Sequence, residues 1–375
     1  MNSRKDPPWQ SLAQLLEEGR DQGVYTAAVA LVGKNGELLW QGAVGRASRD
    51  PESPPVTLDT IFDLASLTKP LATTLAVMLL ADQGLLSLTT KLDEVLTAPW
   101  LPADKHPLTL KSLLAHRAGL PAWRPFYEQV LAAPPAARPG LLARLAAAEP
   151  LEYAPETATV YSDLGFMLLK EVVEKVSGQD LASFCRRELY EPLGLQVFGF
   201  LPALRCNREQ FTWAATDDSA APGWPALGAV HDDNARAAGG VAGHAGLFGT
   251  GPEVFALISR LYRAYNGHIE DLGISPATVR RFLTPVAPGG RTPGFDVPTA
   301  GQSSAGRFFS PCSVGHTGFT GTSFWLDLKQ GQMVVLLTNR VHMDRENDKI
   351  KAFRPRFHEA ACRVLGIIQP QARVR

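Results

Sequence analysis

Ser66 and Lys69 stand three residues apart, and an apolar run over residues 71–80 follows them. On a helix, residues at this spacing lie on one face, one turn from each other. We expect a helix to begin here, with Asp63 or Ser66 capping its first turn. A serine at a helix N-terminus lies among unpaired backbone N–H groups, which favour negative charge on or beside its oxygen. Burial in an apolar setting would lower the pKa of the lysine, and a neutral amine could then take the serine proton.

The alternative interpretation of this pair is a capping serine followed by a solvated lysine, because the S-x-x-K spacing also occurs by chance. Pro70 and the uninterrupted apolar run favour the catalytic interpretation. They indicate a buried helix, and a lysine is rarely buried without a reason. The pair therefore predicts a serine nucleophile that needs no histidine.

Tyr161 is the candidate for the remaining proton transfer. It lies at the junction between a loop and an amphipathic helix over residues 164–175, where a phenol can point into a cleft. Close to Lys69, it could act as the base. The alternative is a core aromatic residue, with Ser162 or Asp163 serving only as the N-cap of the next helix.

A third polar segment begins with His316, Thr317 and Gly318, at the head of a predicted strand pair. A strand that lines the cleft could supply a backbone N–H to an oxyanion, and Gly318 would let a substrate approach closely. His316 could bind a substrate carboxylate or assist proton transfer. The alternative is a glycine-rich turn that only leads into a strand.

The composition is that of a globular protein with a sizeable core. Of the 375 residues, 45% are hydrophobic, and 37 basic residues balance 37 acidic ones. A net charge of zero argues against non-specific binding to nucleic acid or to an acidic membrane. Residues 1–8 lack the apolar core of a signal peptide, and no apolar stretch could span a bilayer, so we expect a cytoplasmic protein. The scattered cysteines, expected to be reduced, are Cys185, Cys206, Cys312 and Cys362.

The N-terminal part predicts a helix followed by a β-hairpin. The helical periodicity covers residues 11–23. Two strand-like segments, residues 25–33 and 37–46, flank Asn35-Gly36, which is a strong hairpin turn signal.

Strand signals return near the C-terminus at residues 323–328 and 332–338. Because a two-stranded hairpin is unstable alone, we expect the terminal hairpins to form one antiparallel sheet, covered by the first and last helices. The segments between and after them predict helices over residues 109–115, 132–148, 164–175, 181–189, 253–265 and 344–364, and loops over residues 50–60, 200–245 and 285–310.

Taken together, the three polar segments resemble the motifs of the penicillin-recognising serine hydrolases, which include class C β-lactamases, D,D-peptidases and related carboxylesterases. The motifs of that family are S-x-x-K, Y-x-N and [K/H]-[T/S]-G. Their counterparts here are residues 66–69, 161–163 and 316–318. Further similar segments are residues 62–65, 114–121 and 246–248, and the resemblance covers about residues 20–365.

The resemblance implies an α+β fold, in which a five-stranded antiparallel sheet flanked by the terminal helices lies beside a helical subdomain. It implies a single catalytic domain over residues 10–368. The sheet subdomain would comprise about residues 10–62 and 300–368, and the helical subdomain about residues 63–299. The catalytic cleft would lie between the two.

The resemblance also implies roles for the candidate residues. Ser66 would be acylated, Lys69 and Tyr161 would share the proton transfers, and the backbone N–H groups of Ser66 and Phe319 would form the oxyanion hole. The substrate would be a small ester, amide or β-lactam, with no cofactor, no metal ion and no nucleic-acid or membrane partner. The residues facing the substrate would be His316, Thr317, Gly318 and Asp163.

Two departures from the family motifs bear on the substrate. Asp163 stands where the family usually has asparagine, and a carboxylate cannot donate a hydrogen bond to a substrate carbonyl unless it is protonated. A carboxylate beside Lys69 would also keep the amine charged, which shifts the role of base to Tyr161. His316 replaces a lysine, so a fixed positive charge for a substrate carboxylate is not guaranteed at pH 7.

These departures favour esterase activity over the second candidates, a β-lactamase or a D-amino-acid peptidase. A ligand-binding module that keeps the fold without turnover is the alternative from another class, and Asp163 is its main support. The sequence contains no G-x-S-x-G, H-E-x-x-H, Walker A or G-x-G-x-x-G motif, and no E-x-x-L-N segment. His231 and His244 do not have metal-ligand spacing, so we expect no metal site.

Overall fold

The computed structural model describes residues 7–204, 208–216, 228–268, 272–287, 290–299, 301 and 303–367. Within these ranges, no helix combines the length and the hydropathy needed to cross a bilayer. The strands are β1 (Ala27–Lys34), β2 (Glu37–Gly45), β3 (Phe62–Asp63), β4 (Gly199–Phe200), β5 (Leu247–Gly249), β6 (Ser313–Thr317), β7 (Ser323–Asp327) and β8 (Gln332–Thr338). The α-helices are α1 (Pro7–Asp21), α2 (Leu75–Asp82), α3 (Leu92–Val95), α4 (Leu110–Leu114), α5 (Tyr127–Ala132), α6 (Arg138–Ala148), α7 (Asp163–Ser177), α8 (Leu181–Phe184), α9 (Asp233–Ala237), α10 (Gly251–Tyr265), α11 (Pro276–Phe282) and α12 (Ile350–Val364).

A five-stranded antiparallel sheet joins the two ends of the chain. Its strand order is β2-β1-β8-β7-β6, and the central pairing of β1 with β8 aligns Val29 with Leu337. Asn35 and Gly36 between β1 and β2 both have positive φ, as a type I′ hairpin turn requires. The structure therefore confirms the predicted hairpins and their pairing into one sheet.

Both faces of this sheet are covered, so its inner strands are largely apolar between their ends. Helices α1 and α12 pack on one face, and α10 packs with the helical region on the other. Successive residues of β1 alternate between the two cores, since the side chains of a strand point to opposite faces in turn. The β1 residues facing α1 and α12 are Ala28, Ala30 and Val32, and those facing the helical region are Ala27, Val29 and Leu31.

A smaller sheet, with strand order β3-β5-β4, supports the segment that contains Ser66. It was not predicted, because β3 and β4 are only two residues long and so show no alternation. Helix α7 packs against both α2 and α6. This packing brings the N-terminus of α7, where Asp163 lies, to the segment that leads into α2.

The predicted helix over residues 132–148 is divided in two. Helix α5 ends at Ala132, and α6 begins at Arg138. Pro134 and Pro135 lie between them. Proline donates no backbone hydrogen bond and disfavours the helical conformation of the residue before it, so the helix is interrupted there.

Two further element predictions are corrected. The last helix, predicted from residue 344, begins at Ile350. The carbonyl groups of Arg345 and Asn347 accept hydrogen bonds from the Arg340 guanidinium instead of from helical N–H groups. Within residues 200–245, predicted as loop, α9 forms with the side chain of its N-cap accepting a backbone hydrogen bond.

Part of that predicted loop lies outside the described residues. This part comprises residues 205–207, which include Cys206, and residues 217–227. The described cysteines, Cys185, Cys312 and Cys362, are free thiols.

Candidate active site

Ser66 lies just after β3, at the start of a segment that becomes α-helical only at Leu75. A 3-10 turn over Ala65–Leu67 is followed by a π-helix over Lys69–Thr74, and α2 continues from there. Ala65 has a left-handed φ of 47°, which is strained for a residue other than glycine. The predicted helix therefore begins with irregular backbone, and Ser66 lines a cavity at that point.

The carboxylate of Asp63 supports this strained turn. Its Oδ1 accepts a hydrogen bond from Ala65 N at 2.8 Å, and its Oδ2 accepts one from His231 N at 2.7 Å. Burial raises the pKa of Asp63 to about 6, although both backbone donors act to lower it. Asp63 rather than Ser66 satisfies the first backbone N–H of the segment, which leaves the Ser66 hydroxyl available for chemistry.

Lys69 is fully buried and lies between Ser66 and Asp163. Its Nζ is 3.0 Å from Ser66 Oγ, 2.7 Å from Asp163 Oδ1 and 3.2 Å from the carbonyl oxygen of His244. The same nitrogen lies 4.8 Å from the centroid of the Tyr161 ring. The structure thus brings the three predicted catalytic residues together, with Asp163 beside them.

The pKa of Lys69 lies above its ordinary value of 10.5. Burial is the largest influence and lowers this pKa, but the charges of Asp163 and Tyr161, with hydrogen bonds to both, outweigh it. This direction favours the expectation that Asp163 keeps the amine charged over the expectation of a neutral lysine. A protonated amine only donates hydrogen bonds, and in that state Lys69 would donate to Ser66 Oγ rather than take its proton.

Tyr161, just before α7, packs with a tilted ring against a histidine that sequence reasoning did not single out. The ring centroids of His116 and Tyr161 are 4.5 Å apart. His116 Nδ1 accepts a hydrogen bond from Ser162 N at 3.0 Å, so the proton of the neutral ring is on Nε2. Burial, followed by the charges of Arg291 and Lys69, holds the pKa of His116 well below 6.5. A neutral His116 thus fixes the backbone beside Tyr161.

Arg291 is a second residue that sequence reasoning missed, in a segment predicted only as loop. Its guanidinium carbon lies 5.3 Å from the centroid of the Tyr161 ring, and the group forms an ion pair with Asp296. Burial lowers the pKa of Arg291, while the charge of Tyr161 acts to raise it. Tyr161 therefore has two cations near its ring, Lys69 and Arg291, which interact favourably with its electrons.

The turn between β6 and β7 forms another wall of the site and is fastened to the chain just before Ser66. The hydroxyls of Thr320 and Thr322 donate hydrogen bonds to the carbonyl oxygens of residues 63 and 64 at 2.8 and 3.1 Å. A Cβ on Gly318 would lie 2.7 Å from the second of these oxygens. Glycine is therefore required at this position by packing within the protein itself. The predicted close approach of a substrate to Gly318 stays a prediction.

His316 does not face the cleft, which corrects what the resemblance implied. Its side chain is 1% exposed and lies behind Tyr161, with 5.9 Å between the ring centroids. Its Nδ1 lies 2.9 Å from the carbonyl oxygen of Thr317. Burial, followed by the charges of Lys69 and Arg291, holds the pKa of His316 well below 6.5. A buried, neutral ring offers no positive charge to a substrate carboxylate.

Two cavities meet at Ser66, Tyr161 and Phe319, each of which lines both. The larger cavity, of about 480 Å³, also contacts Thr317 and Gly318. The smaller has a volume of about 290 Å³. The cationic residues of the larger cavity are Arg291, Arg340, Arg345, Lys351 and Arg354. The smaller cavity is also lined by Trp123 and by three acidic residues, Asp163, Asp232 and Asp233.

Asp163, Asp232 and His244 form a group whose potential metal-ligand atoms lie within 4.8 Å of one another. These atoms have other partners. Asp163 Oδ1 pairs with Lys69, and Asp232 Oδ1 accepts a hydrogen bond from Ala235 N at 2.7 Å and lies 3.0 Å from His244 Nε2. The ammonium group of Lys69 already supplies positive charge beside this group, so we keep the prediction of a site without a metal ion.

Replacing Asp163 by asparagine is expected to change the pH dependence of the site. Burial acts to lower the pKa of wild-type Lys69, but other groups, chiefly the charge of Asp163, raise it above its ordinary value. Without the Asp163 charge, burial dominates and lowers that pKa. If the reaction needs the Lys69 cation, as we propose, kcat/KM of Asp163→Asn should fall in alkaline solution relative to the wild-type value at the same pH. The measurement is the pH–rate profile of both proteins with p-nitrophenyl acetate.

A matched control is Glu171→Gln, which removes a carboxylate from the same helix, outside both cavities. Its profile should follow that of the wild type. If the ratio of kcat/KM of Asp163→Asn to that of the wild type at the same pH instead rose over the alkaline range, a neutral Lys69 would be the base and the assignment of Tyr161 would be wrong.

The chain is similar in sequence to named relatives over most of its length. N-acetylmuramyl-L-alanine amidase of Bacillus subtilis (strain 168) is 30% identical over 359 residues, which cover 88% of this chain and 80% of the relative. A protein of Escherichia coli (strain K12), provisionally named a D-alanyl-D-alanine carboxypeptidase, is 29% identical over 350 residues. That match covers 85% of this chain and 79% of the relative.

Solved structures show the same fold. The hydrolase EstCE1, described as having promiscuous acyltransferase activity, has a TM-score of 0.68 at 24% identity, covering 93% of this chain and 97% of its own. The octameric penicillin-binding protein homologue from Pyrococcus abyssi has a TM-score of 0.69 at 19% identity. That match covers 95% of this chain and 77% of the homologue. The sequence profile of the Beta-lactamase family matches residues 12–354. The chain therefore belongs to the Beta-lactamase family, a family of serine hydrolases.

Proposed function

We propose that this protein is an esterase-type serine hydrolase that forms an acyl-enzyme at Ser66 with a small ester. The observation that supports this most directly is Ser66 Oγ, 3.0 Å from the buried ammonium of Lys69 and open to both cavities. A nucleophile in this position has one cavity for the acyl group and one for the leaving group.

In the proposed reaction, Tyr161 acts as the phenolate: it takes the proton of Ser66 while Ser66 Oγ bonds to the carbonyl carbon and the π electrons of the carbonyl group move to its oxygen. Lys69 stays protonated and stabilises the negative charge that forms on the serine oxygen. Tyr161 then gives the proton to the oxygen of the leaving alcohol as the ester C–O bond breaks. Water attacks the acyl-enzyme by the same route, and its proton passes through Tyr161 back to Ser66.

The oxyanion of the tetrahedral intermediate would accept hydrogen bonds from the backbone N–H groups of Ser66 and Phe319. Both residues line both cavities, which is where the carbonyl oxygen must lie. The turn that contains Phe319 is fastened to the Ser66 segment by Thr320 and Thr322. The two donors are therefore held by one continuous hydrogen-bonded framework, which is the preorganisation that such a site needs.

An ester fits this site better than a β-lactam for two reasons. Asp163 lines the smaller cavity as a carboxylate paired with Lys69, so it cannot donate a hydrogen bond to an amide carbonyl in the acyl group. Trp123 and Phe319, which are 43% and 50% exposed, line the same cavity. Their apolar surface favours an apolar acyl group.

A second candidate is a D-amino-acid peptidase. The larger cavity is lined by five cationic and three acidic side chains, an excess of positive charge that would attract a substrate with a free carboxylate. The E. coli relative, provisionally named a D-alanyl-D-alanine carboxypeptidase, points in the same direction. Carbonyl groups and carboxylates of the protein would compete with a substrate carboxylate for these cations. Asp233, for example, pairs with Arg345.

The test is intact-mass spectrometry and turnover with four compounds. They are p-nitrophenyl acetate, a cephalosporin, a peptide ending in D-alanyl-D-alanine and a fluorophosphonate. The expected result is a fluorophosphonate adduct that peptide mapping places on Ser66, with turnover of the ester and no hydrolysis of the cephalosporin. Release of D-alanine would establish the peptidase instead, and cephalosporin hydrolysis would establish a β-lactamase. A folded protein that forms no adduct with any of the four would be a ligand-binding module.

A further inference from the structure

The turn between β6 and β7 contains a peptide group held by a buried arginine. Gly318 O accepts a hydrogen bond from Gly321 N at 3.1 Å, which closes a β-turn, and a second one from Arg354 Nη2 at 2.7 Å. The same Nη2 donates to Thr322 O at 3.1 Å. Arg354 lies on α12 and reaches the turn from the side of the terminal helices.

The peptide group bound by Arg354 is the one that supplies the N–H of Phe319. A trans peptide is planar, and its C=O and N–H point in opposite directions. A hydrogen bond that fixes the direction of Gly318 O therefore fixes the direction of Phe319 N–H as well. A charged donor on the oxygen also polarises the peptide group, which makes its N–H a stronger donor.

A second arginine holds the peptide group on the other side of Phe319. Arg340 Nε donates to Phe319 O at 2.8 Å, and the guanidinium carbon lies 4.4 Å from the centroid of the Phe319 ring. Both peptide groups that flank Phe319 are thus bound by guanidinium groups. Its backbone is fixed, although half of its side chain is exposed.

The charge of Arg354 has no other evident use in the part of the chain that the structure describes. No described carboxylate lies within ion-pair distance of Arg354 or Arg340, and Arg354 Nε is buried without a hydrogen-bond partner. Burying an unpaired cation is costly, and burial lowers the pKa of Arg354 to about 9. Because the buried charge of Arg354 destabilises the fold, we expect it to have a role in the adjoining site, whose larger cavity Arg354 lines.

We propose that Arg354 is a positioning residue for the oxyanion hole: it orients and polarises the Gly318–Phe319 peptide group, so that Phe319 N–H binds the oxyanion. This rests on the proposed function, in which that N–H is one of the two oxyanion donors. Arg354 acts through the peptide group and needs no contact with the substrate.

The test uses Arg354→Met, which keeps the length of the side chain and removes its donors and charge. With the neutral ester p-nitrophenyl acetate, we expect kcat to fall by about 10²-fold, as for the loss of one oxyanion donor, with KM nearly unchanged. The Ki of phenylboronic acid, which forms a tetrahedral adduct with the serine, should rise by a similar factor. Arg354→Lys, which keeps a charged donor, should recover part of kcat. Arg356→Ala removes an exposed arginine of the same helix that pairs with Glu18, and should match the wild type.

Two outcomes would overturn the proposal. One is an unchanged kcat of Arg354→Met on the neutral ester. The other is a loss confined to the KM of mono-p-nitrophenyl succinate, since a free carboxylate on the substrate would then be what Arg354 binds. If Arg354→Met does not fold by circular dichroism, Arg354→Gln, which removes the charge, decides, and kcat equal to that of the wild type would overturn the proposal. Failure of the proposed function is recognised separately, because Ser66→Ala would then keep its turnover whatever the Arg354 variants do.

Discussion

Ser66→Ala is expected to lower kcat/KM for p-nitrophenyl acetate by about 10⁴-fold or more, because the covalent route is lost with the nucleophile. The Ser66 hydroxyl accepts a hydrogen bond from Lys69 and lines both cavities, whereas alanine offers no atom that can bond to the carbonyl carbon. The fold should be retained, since Asp63 rather than Ser66 caps the segment. The measurement is p-nitrophenol release, together with the intact mass after fluorophosphonate treatment.

The matched control is Ser183→Ala on α8, which lies outside both cavities. It should retain the wild-type rate and the wild-type adduct. If Ser66→Ala kept more than about a tenth of the wild-type kcat/KM, or still formed the fluorophosphonate adduct, the nucleophile would be another residue and the mechanism would be wrong.

The serine–lysine pair could be predicted from the sequence because its geometry is local. Residues three apart in a helical segment face the same way whether the backbone is α-helical or, as here, passes from a 3-10 turn into a π-helix. The sheet could be predicted for a related reason. Asn35-Gly36 has the turn chemistry of a hairpin, and the terminal strands need partners.

The environment of Tyr161 could not be predicted, because it depends on contacts between distant parts of the chain. His116, under its ring, adopts a positive φ of 59° that few residues other than glycine tolerate. The only sequence signal for it was that it lies in a segment similar to the family. Arg291 stands in a segment rich in proline and glycine, where periodicity gives no information on side-chain direction.

The charge state of Lys69 shows where sequence reasoning reaches its limit. Burial and a neighbouring carboxylate shift the pKa of a lysine in opposite directions, and both were expected from the sequence. Which of them dominates depends on a distance, the 2.7 Å between Lys69 Nζ and Asp163 Oδ1. That distance is set by the packing of α7 against α2, which pattern reasoning does not resolve.

Lys69→Met is expected to lower kcat/KM for p-nitrophenyl acetate by about 10³-fold, because the cation that stabilises the serine oxygen is lost. Methionine fills a similar volume in this fully buried position. The variant should also be less stable by about 1–3 kcal/mol, because Asp163 loses its counter-ion. This destabilisation is smaller than that for breaking a wholly buried ion pair, since the Asp163 side chain is 16% exposed. The measurements are steady-state kinetics and thermal unfolding.

The loss of activity can be separated from the loss of stability by the double variant Lys69→Met, Asp163→Asn. Replacing the carboxylate by a neutral amide removes the unpaired charge, so the unfolding temperature should return towards that of the wild type while turnover stays low. Recovery of activity together with stability would mean that Lys69 acts only by neutralising Asp163. Ser66→Ala combined with Lys69→Met should be hardly slower than Ser66→Ala alone, because residues that act as a unit lose their joint effect when either is removed.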